Sequence, residues 1–397
     1  MKNLLKKLSC LMVVAFVAVS LFSCALTPQT TLEFTAFPET EYQAGEVSKE
    51  VFLNSVTVKL NGEPYTLTQL EILGAVVAGV ELNNPGTYTL VVNYKGTSII
   101  FEYDVVGKHQ ASINDDKYES LVEALAVANA ASEQVTIKLL KNVDLNGASL
   151  TIASTADVKL DLNGHVLYTL NEVQGAATFL IENKGKLEVV GSGSITYLSK
   201  YPDVNWGEGK DNKYPTYASN TISNRGQLVI DGNVTIENQT QVGGAVYAID
   251  NYAGSSLTIN NGSVKKAVRG AAIRLFGGTT NLTINGGEIE GSTAIWIQLP
   301  GGSFSNTPDM NITINGGKIY SPNEGGDLMY TYTFGDSHAD VKIEINGGEF
   351  LGGYVSVGAG THKEDIPQFT INGGTFEYDV LQWLEGDEYK VLYKANK

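Results

Sequence analysis

Asp250, Arg274, Trp296, Gln298 and Tyr330 are the side chains of this sequence best placed to hold a ligand. Apolar residues alternate with them: Ala271, Ile273 and Leu275 around Arg274, and Ile295, Ile297 and Leu299 around Trp296 and Gln298. A strand of that pattern buries its apolar set and turns the intervening residues outward. By the same alternation Asp250 faces out of its strand, and Tyr330 or Tyr332 faces out of Leu328 to Phe334. Such a row offers ring faces for stacking and charged or amide groups for hydroxyls. That is the chemistry of sugar binding, and the row is expected to face water.

Two insertions border it. LSKYPDVNWGEGKDNKYPTYASN, residues 198–220, carries Trp206 and Tyr214 together with Tyr201 and Tyr217. Long loops on a repetitive scaffold often carry binding residues, so Trp206 and Tyr214 join the candidates. The second insertion, Pro300 to Met310, lies near Trp296. Catalytic and metal-binding patterns are absent. His109, His165, His338 and His362 are scattered, and Asp327, Asp336 and Asp340 read as solvated charge around one loop. No cofactor is expected.

A repeat supplies the scaffold. LTINGGEIEG, residues 282–291, returns as ITINGGKIYS from Ile312, IEINGGEFLG from Ile343 and FTINGGTFEY from Phe369, and upstream as LTINNGSVKK from Leu257. The copies align Ile259, Ile284, Ile314, Ile345 and Ile371 in one column, and Val264, Ile289, Ile319, Phe350 and Phe376 in another. Their asparagines, Asn260, Asn285, Asn315, Asn346 and Asn372, are 25, 30, 31 and 26 residues apart. Weaker copies lie at Leu160 to Gly164, Val189 to Gly191 and Val229 to Gly232. A strand-rich period of this length implies a stacked solenoid, because one coil cannot bury its own apolar face. The Asn-Gly-Gly corner suits left-handed backbone angles, and stacked asparagines can hydrogen-bond from coil to coil. The corner motif therefore has a structural role.

Residues 133–397 resemble the right-handed parallel β-helix of the pectin-lyase-like superfamily. Many proteins of that fold cleave acidic polysaccharides, which implies a test. The lyases use a basic residue in motifs such as Arg-x-Pro-x-x-Arg, and the hydrolases use Gly-His-Gly and Arg-x-Lys. None of these occurs, and the only arginines are Arg225, Arg269 and Arg274. The expected role is therefore adhesin-like or glycan-binding and non-catalytic. A polysaccharide-active lyase or glycoside hydrolase is the alternative, since two unmarked carboxylates suffice for glycoside hydrolysis.

Upstream, Tyr118, Leu121, Val122, Leu125, Ala126 and Ala128 lie at helical spacing within 116–132, with Asp115 and Asp116 available as N-cap and early acidic residues. Residues 107–132 are read as a linker and a short helix capping the first coil, because an uncovered coil is an unpaired sheet edge. Val380 to Leu384 and the strand from Glu388 to Tyr393 are expected to close the other end.

Residues 31–106 read as short strands punctuated by Asn61-Gly62, Pro85-Gly86 and Lys95-Gly96. With Gly86-Thr87-Tyr88 opening an alternating strand, the stretch resembles bacterial Ig-like domains, which implies a small β-sandwich acting as spacer or adhesion unit. The fold class is all-β.

The leader completes the organisation. Lys2, Lys6 and Lys7 precede an apolar run from Leu8 to Phe22, the layout of a secretory signal over residues 1–23. Leu21-Phe22-Ser23-Cys24 resembles a bacterial lipobox, which implies cleavage before Cys24, diacylation of its thiol and a lipid-anchored linker over 24–30. Cys10 is the only other cysteine, so the mature 374 residues (397 minus 23) contain no disulfide or thiolate metal site. Loss of three leader lysines takes the charge from −16 to −19. So acidic a body excludes nucleic acid as a partner. The expected partners are a membrane, through Cys24, and a polysaccharide; the expected state is a monomer in the cell envelope.

Overall fold

The computed structural model describes residues 30–36, 41–171, 179–199, 219–240, 246–299, 309–323, 326–333, 340–358, 367–377 and 391–393. The leader, Cys24, Trp206, Tyr214, most of the Pro300 to Met310 insertion and the closing segment from Val380 to Leu384 lie outside them. The chain divides into two compact units, Met1–Val106 and Gly107–Lys397.

The first unit contains a three-stranded antiparallel sheet and a four-stranded sheet around one apolar core that includes Phe52, Val58, Leu90 and Tyr103. Asn61 and Gly62 both have positive φ, 53° and 94°, the left-handed pair that a tight hairpin requires. Two short helices, α1 (Lys49–Ser55) and α2 (Leu67–Ile72), interrupt a stretch that the sequence pattern reads as strands only. Their starts were legible: Ser48 caps α1, and Thr66 forms a capping box with Gln69.

The second unit is mostly strand. Ten parallel strands, from Val135–Leu139 to Val391–Tyr393, form one long sheet, extended at its start by the antiparallel pair Ala111–Ile113 and Asp116–Tyr118. A second long parallel sheet runs alongside, and the chain alternates between the two, coil after coil, around one axis. The arrangement is consistent with a parallel β-helix. Register runs like on like: Leu257, Leu282, Ile312, Ile343 and Phe369 are successive neighbours, and so are Ile259, Ile284, Ile314, Ile345 and Ile371. Both columns are buried in one continuous core. Each such side chain contributes about 1.5–3 kcal/mol by leaving water.

The repeated corner behaves as its residues require. Gly287 has φ +82°, and a Cβ there would lie 2.4 Å from the Gly262 carbonyl oxygen of the coil below. Only glycine accommodates both the angle and the approach. The corner asparagines form a hydrogen-bonded ladder: each Nδ2 donates to the previous Oδ1, at 2.9 Å (Asn285 to Asn260), 2.8 Å (Asn315 to Asn285), 2.9 Å (Asn346 to Asn315) and 2.7 Å (Asn372 to Asn346).

Helix α3 (Leu121–Ala130) sets Leu121, Ala124, Leu125 and Ala128 into the core beside Ile137, Leu150 and Ile152 of the first coils. It starts later than the acidic pair at 115–116 suggests. Asn114 has positive φ and turns the chain into a hairpin that uses Asp116–Tyr118 as a strand, so the cap falls to Ser120 with Glu123. Among the described residues no helix is long and apolar enough to cross a membrane.

Candidate functional site

One outer column of the second sheet runs through four consecutive coils: Asp250 pairs with Arg274, Arg274 with Trp296, and Trp296 with Tyr330. Two residues along, the next outer column is Tyr252, Phe276, Gln298 and Tyr332. The inner neighbours Ile249, Ile273, Ile295 and Met329 all belong to the core. Ala272 joins them rather than Ala271, because the strands bend here and set two consecutive residues inward, as Ala248 and Ile249 also do. The bend turns Tyr247 outward, against Arg274 and Trp296.

The fold therefore brings together Asp250, Arg274, Trp296, Gln298 and Tyr330. Their exposure differs from the sequence expectation. Asp250 is fully buried, and Arg274 and Gln298 are each only 8% exposed, so this part of the row is sealed rather than water-facing. Trp296, Tyr330 and Tyr332 are half-buried. The reason is lateral crowding, since large rings on neighbouring coils ~4.8 Å apart cover the polar groups between them.

The polar groups form one network. Arg274 donates from Nε to Asp250 Oδ1 at 2.8 Å, from Nη2 to Asp250 Oδ2 at 2.5 Å, and from Nη1 to Gln298 Oε1 at 3.0 Å. Asn220, one coil earlier, donates to Asp250 Oδ2 at 2.9 Å. The guanidinium carbon lies 4.3 Å from the Tyr247 ring centre and 4.5 Å from that of Phe276. Burial works against the Arg274 charge, and the Asp250 carboxylate more than offsets it, holding the group above its ordinary range. Burial pushes the Tyr247 phenol up to about 12, and burial with Asp250 does the same to Tyr252. Both tyrosines stay neutral.

Around this network the rings make an aromatic wall. Trp296 meets Tyr247 edge-on at 5.9 Å and Tyr330 edge-on at 5.6 Å, and Tyr330 stacks with Tyr332 at 6.3 Å. Arg225 lies over Tyr252 at 3.8 Å and extends the wall one coil further. Burial raises the Asp327 carboxyl above its usual range, against hydrogen bonds from Ser356 and Thr293. Of the expected acidic loop cluster, Asp336 lies outside the described residues. Among the described residues no group of three His, Cys, Asp or Glu side chains could hold a metal.

Tyr247, Tyr252, Phe276 and Asn220 are additional members of the site. Tyr252 and Phe276 could have been found by carrying the outward parity of Asp250 and Arg274 two residues further along each strand. Tyr247 could not, because the bend breaks that parity. His165 sits in a corner, its amide donating to the Leu162 carbonyl at 2.7 Å, as a turn residue does. No family model, no curated protein and no solved structure matches this chain.

Proposed function

We propose that this is a lipid-anchored protein of the bacterial cell envelope whose solenoid is a right-handed, pectin-lyase-like β-helix that binds glycans without cleaving them. In this reading the leader is removed before Cys24, the cysteine is acylated, and the first unit is an Ig-like spacer. The observation that carries the binding role is the aromatic wall of Trp296, Tyr330 and Tyr332 beside the closed Arg274–Asp250–Gln298 network. Aromatic faces next to fixed amides and charges suit a ring that is apolar on its faces and hydroxylated at its edge.

The spacing of carboxylates supports binding over hydrolysis. Asp327 lies in the coil of Tyr330, three coils beyond Asp250. Three strand spacings are ~14 Å, whereas the two carboxyls of an inverting glycosidase stand about 6.5–9.5 Å apart and those of a retaining one closer. Asp250 is also committed to Arg274.

A glycan array on residues 25–397, with Trp296→Ala alongside, tests the proposal. Wild-type protein should capture a glycan and the variant should lose most of that affinity while its strand circular dichroism persists. Unchanged affinity in Trp296→Ala would discard the site, and release of reducing ends from a captured glycan would establish the enzyme alternative. For the anchor, Cys24→Ser should abolish fatty-acid labelling and move the protein out of the membrane fraction; labelling that persists would sink it.

A further inference from the structure

Resting on the sugar-binding reading, we infer that the aromatic face selects uncharged, hydroxyl-rich glycans and discriminates against uronic or sulfated ones. Three cations of the face each have a carboxylate within reach. Arg274 is bound to Asp250 at 2.5 Å, Arg225 to Glu182 at 3.4 Å, and Lys184 to the same Glu182 at 2.8 Å. Glu182 belongs to the outer column of Asp250, two coils earlier. Arg225 and Lys184 share Glu182, five coils from Asp327, so the cation with a carboxylate of its own is Arg274, the one beside Trp296. The faces of the Arg274 guanidinium are closed by Tyr247 and Phe276. An anionic ligand would have to compete with Asp250 for a buried cation, and would meet a chain of net charge −16.

Among the described residues, two polar atoms of the face lack hydrogen-bond partners. Asn220, only 2% exposed, gives both amide donations to Asp250 and Ser223 while its Oδ1 receives nothing. The indole Nε1 of Trp296, also buried, donates to nothing. One atom needs a donor and the other an acceptor. A carboxylate or sulfate can serve the indole alone, whereas a hydroxyl can serve either. Both atoms are closed to solvent as well as unpaired, so a ligand hydroxyl serves them only where the covering rings part.

Full-length mature protein should be titrated with hexose oligomers and with uronic-acid oligomers of equal length, each at low and high salt. The expected result is at least about tenfold tighter binding of a neutral oligomer, roughly 1.4 kcal/mol, with little salt dependence because no ion pair forms. Asp250→Asn, which leaves Arg274 without its counter-ion, should shift preference toward the uronate and introduce salt dependence. Tighter binding of the uronate by wild-type protein, weakened by salt, overturns this inference while leaving sugar binding intact. Capture of neither class overturns both. If Asp250→Asn fails to fold, the wild-type comparison still decides.

Discussion

Arg274 reaches back one coil to grip Asp250 through two hydrogen bonds of 2.8 and 2.5 Å, in a place where Asp250 has no contact with water. The expected cost of Arg274→Met is about 3–5 kcal/mol, because it strands a buried carboxylate. Adding Asp250→Leu to that variant should restore most of the loss, since the charge leaves together with its partner. Urea unfolding of both singles and the double closes the cycle. Additive losses would mean that the two side chains are not coupled.

Two asparagine ladders provide a second comparison. The outer ladder includes Asn315, whose side chain is exposed. The inner one is fully buried: Asn183 donates to Asn224 at 2.7 Å, and Asn224 to Asn251 at 2.5 Å and to the Ser256 carbonyl at 2.9 Å. It ends where Leu275 occupies the next position, leaving Asn251 Nδ2 unpaired. Asn224→Ala should destabilise more than Asn315→Ala by at least about 2 kcal/mol, because water can replace the lost partners only at the outer ladder. Equal midpoints in denaturant would show the inner ladder to be hydrated.

The solenoid was legible because its information is redundant. Five copies of one corner put Ile259, Ile284, Ile314, Ile345 and Ile371 in a column that no other stacking would bury together, and the register follows that alignment. The site was half legible. Strand parity sets Asp250, Arg274 and Trp296 on one outer column, but parity says nothing about how far neighbouring rings close over the polar groups. Arg274 is covered because Phe276, two residues along its own strand, and Tyr247, on the preceding coil, both lie against its guanidinium. Tyr247 was missed because the two consecutive inward residues, Ala248 and Ile249, bend the strand and reverse its parity. In the first unit, α1 and α2 were missed because each is under two turns long, too short for periodicity to register, although the Thr66–Gln69 capping box was present.

The inward and outward columns of the repeat can be tested at adjacent residues. Ile314 is fully buried between Ile284 and Ile345, whereas Thr313 is half-exposed between Thr283 and Glu344. Ile314→Asp should cost several kcal/mol by placing an unpaired charge in the core. Thr313→Lys should cost little, since the new amine sits beside the Glu344 carboxylate. Thermal melts that fall equally for both would refute the assigned faces.

Lys266 carries a pH signature of its own. Its side chain is 1% exposed, and its Nζ donates to the Thr240 carbonyl at 2.8 Å. Burial lowers its pKa from 10.5 to about 8, with Glu237 opposing the shift. The folded state thus releases this proton more readily than the unfolded chain does. Below about pH 8 the buried amine is charged in both states and the fold bears the full desolvation penalty. Between about 8 and 10.5 the unfolded chain binds more protons, so stability attributable to this group rises with pH. The 2.5-unit difference (10.5 minus 8) corresponds to about 3 kcal/mol. Lys266→Met removes the titration while filling similar volume. It should be more stable than wild type at neutral pH, less whatever the hydrogen bond to Thr240 contributes, and its advantage should shrink as pH approaches 10. Chemical denaturation of both proteins across that range isolates this group from every other titrating side chain they share. A difference that stays flat would mean that the amine is solvated.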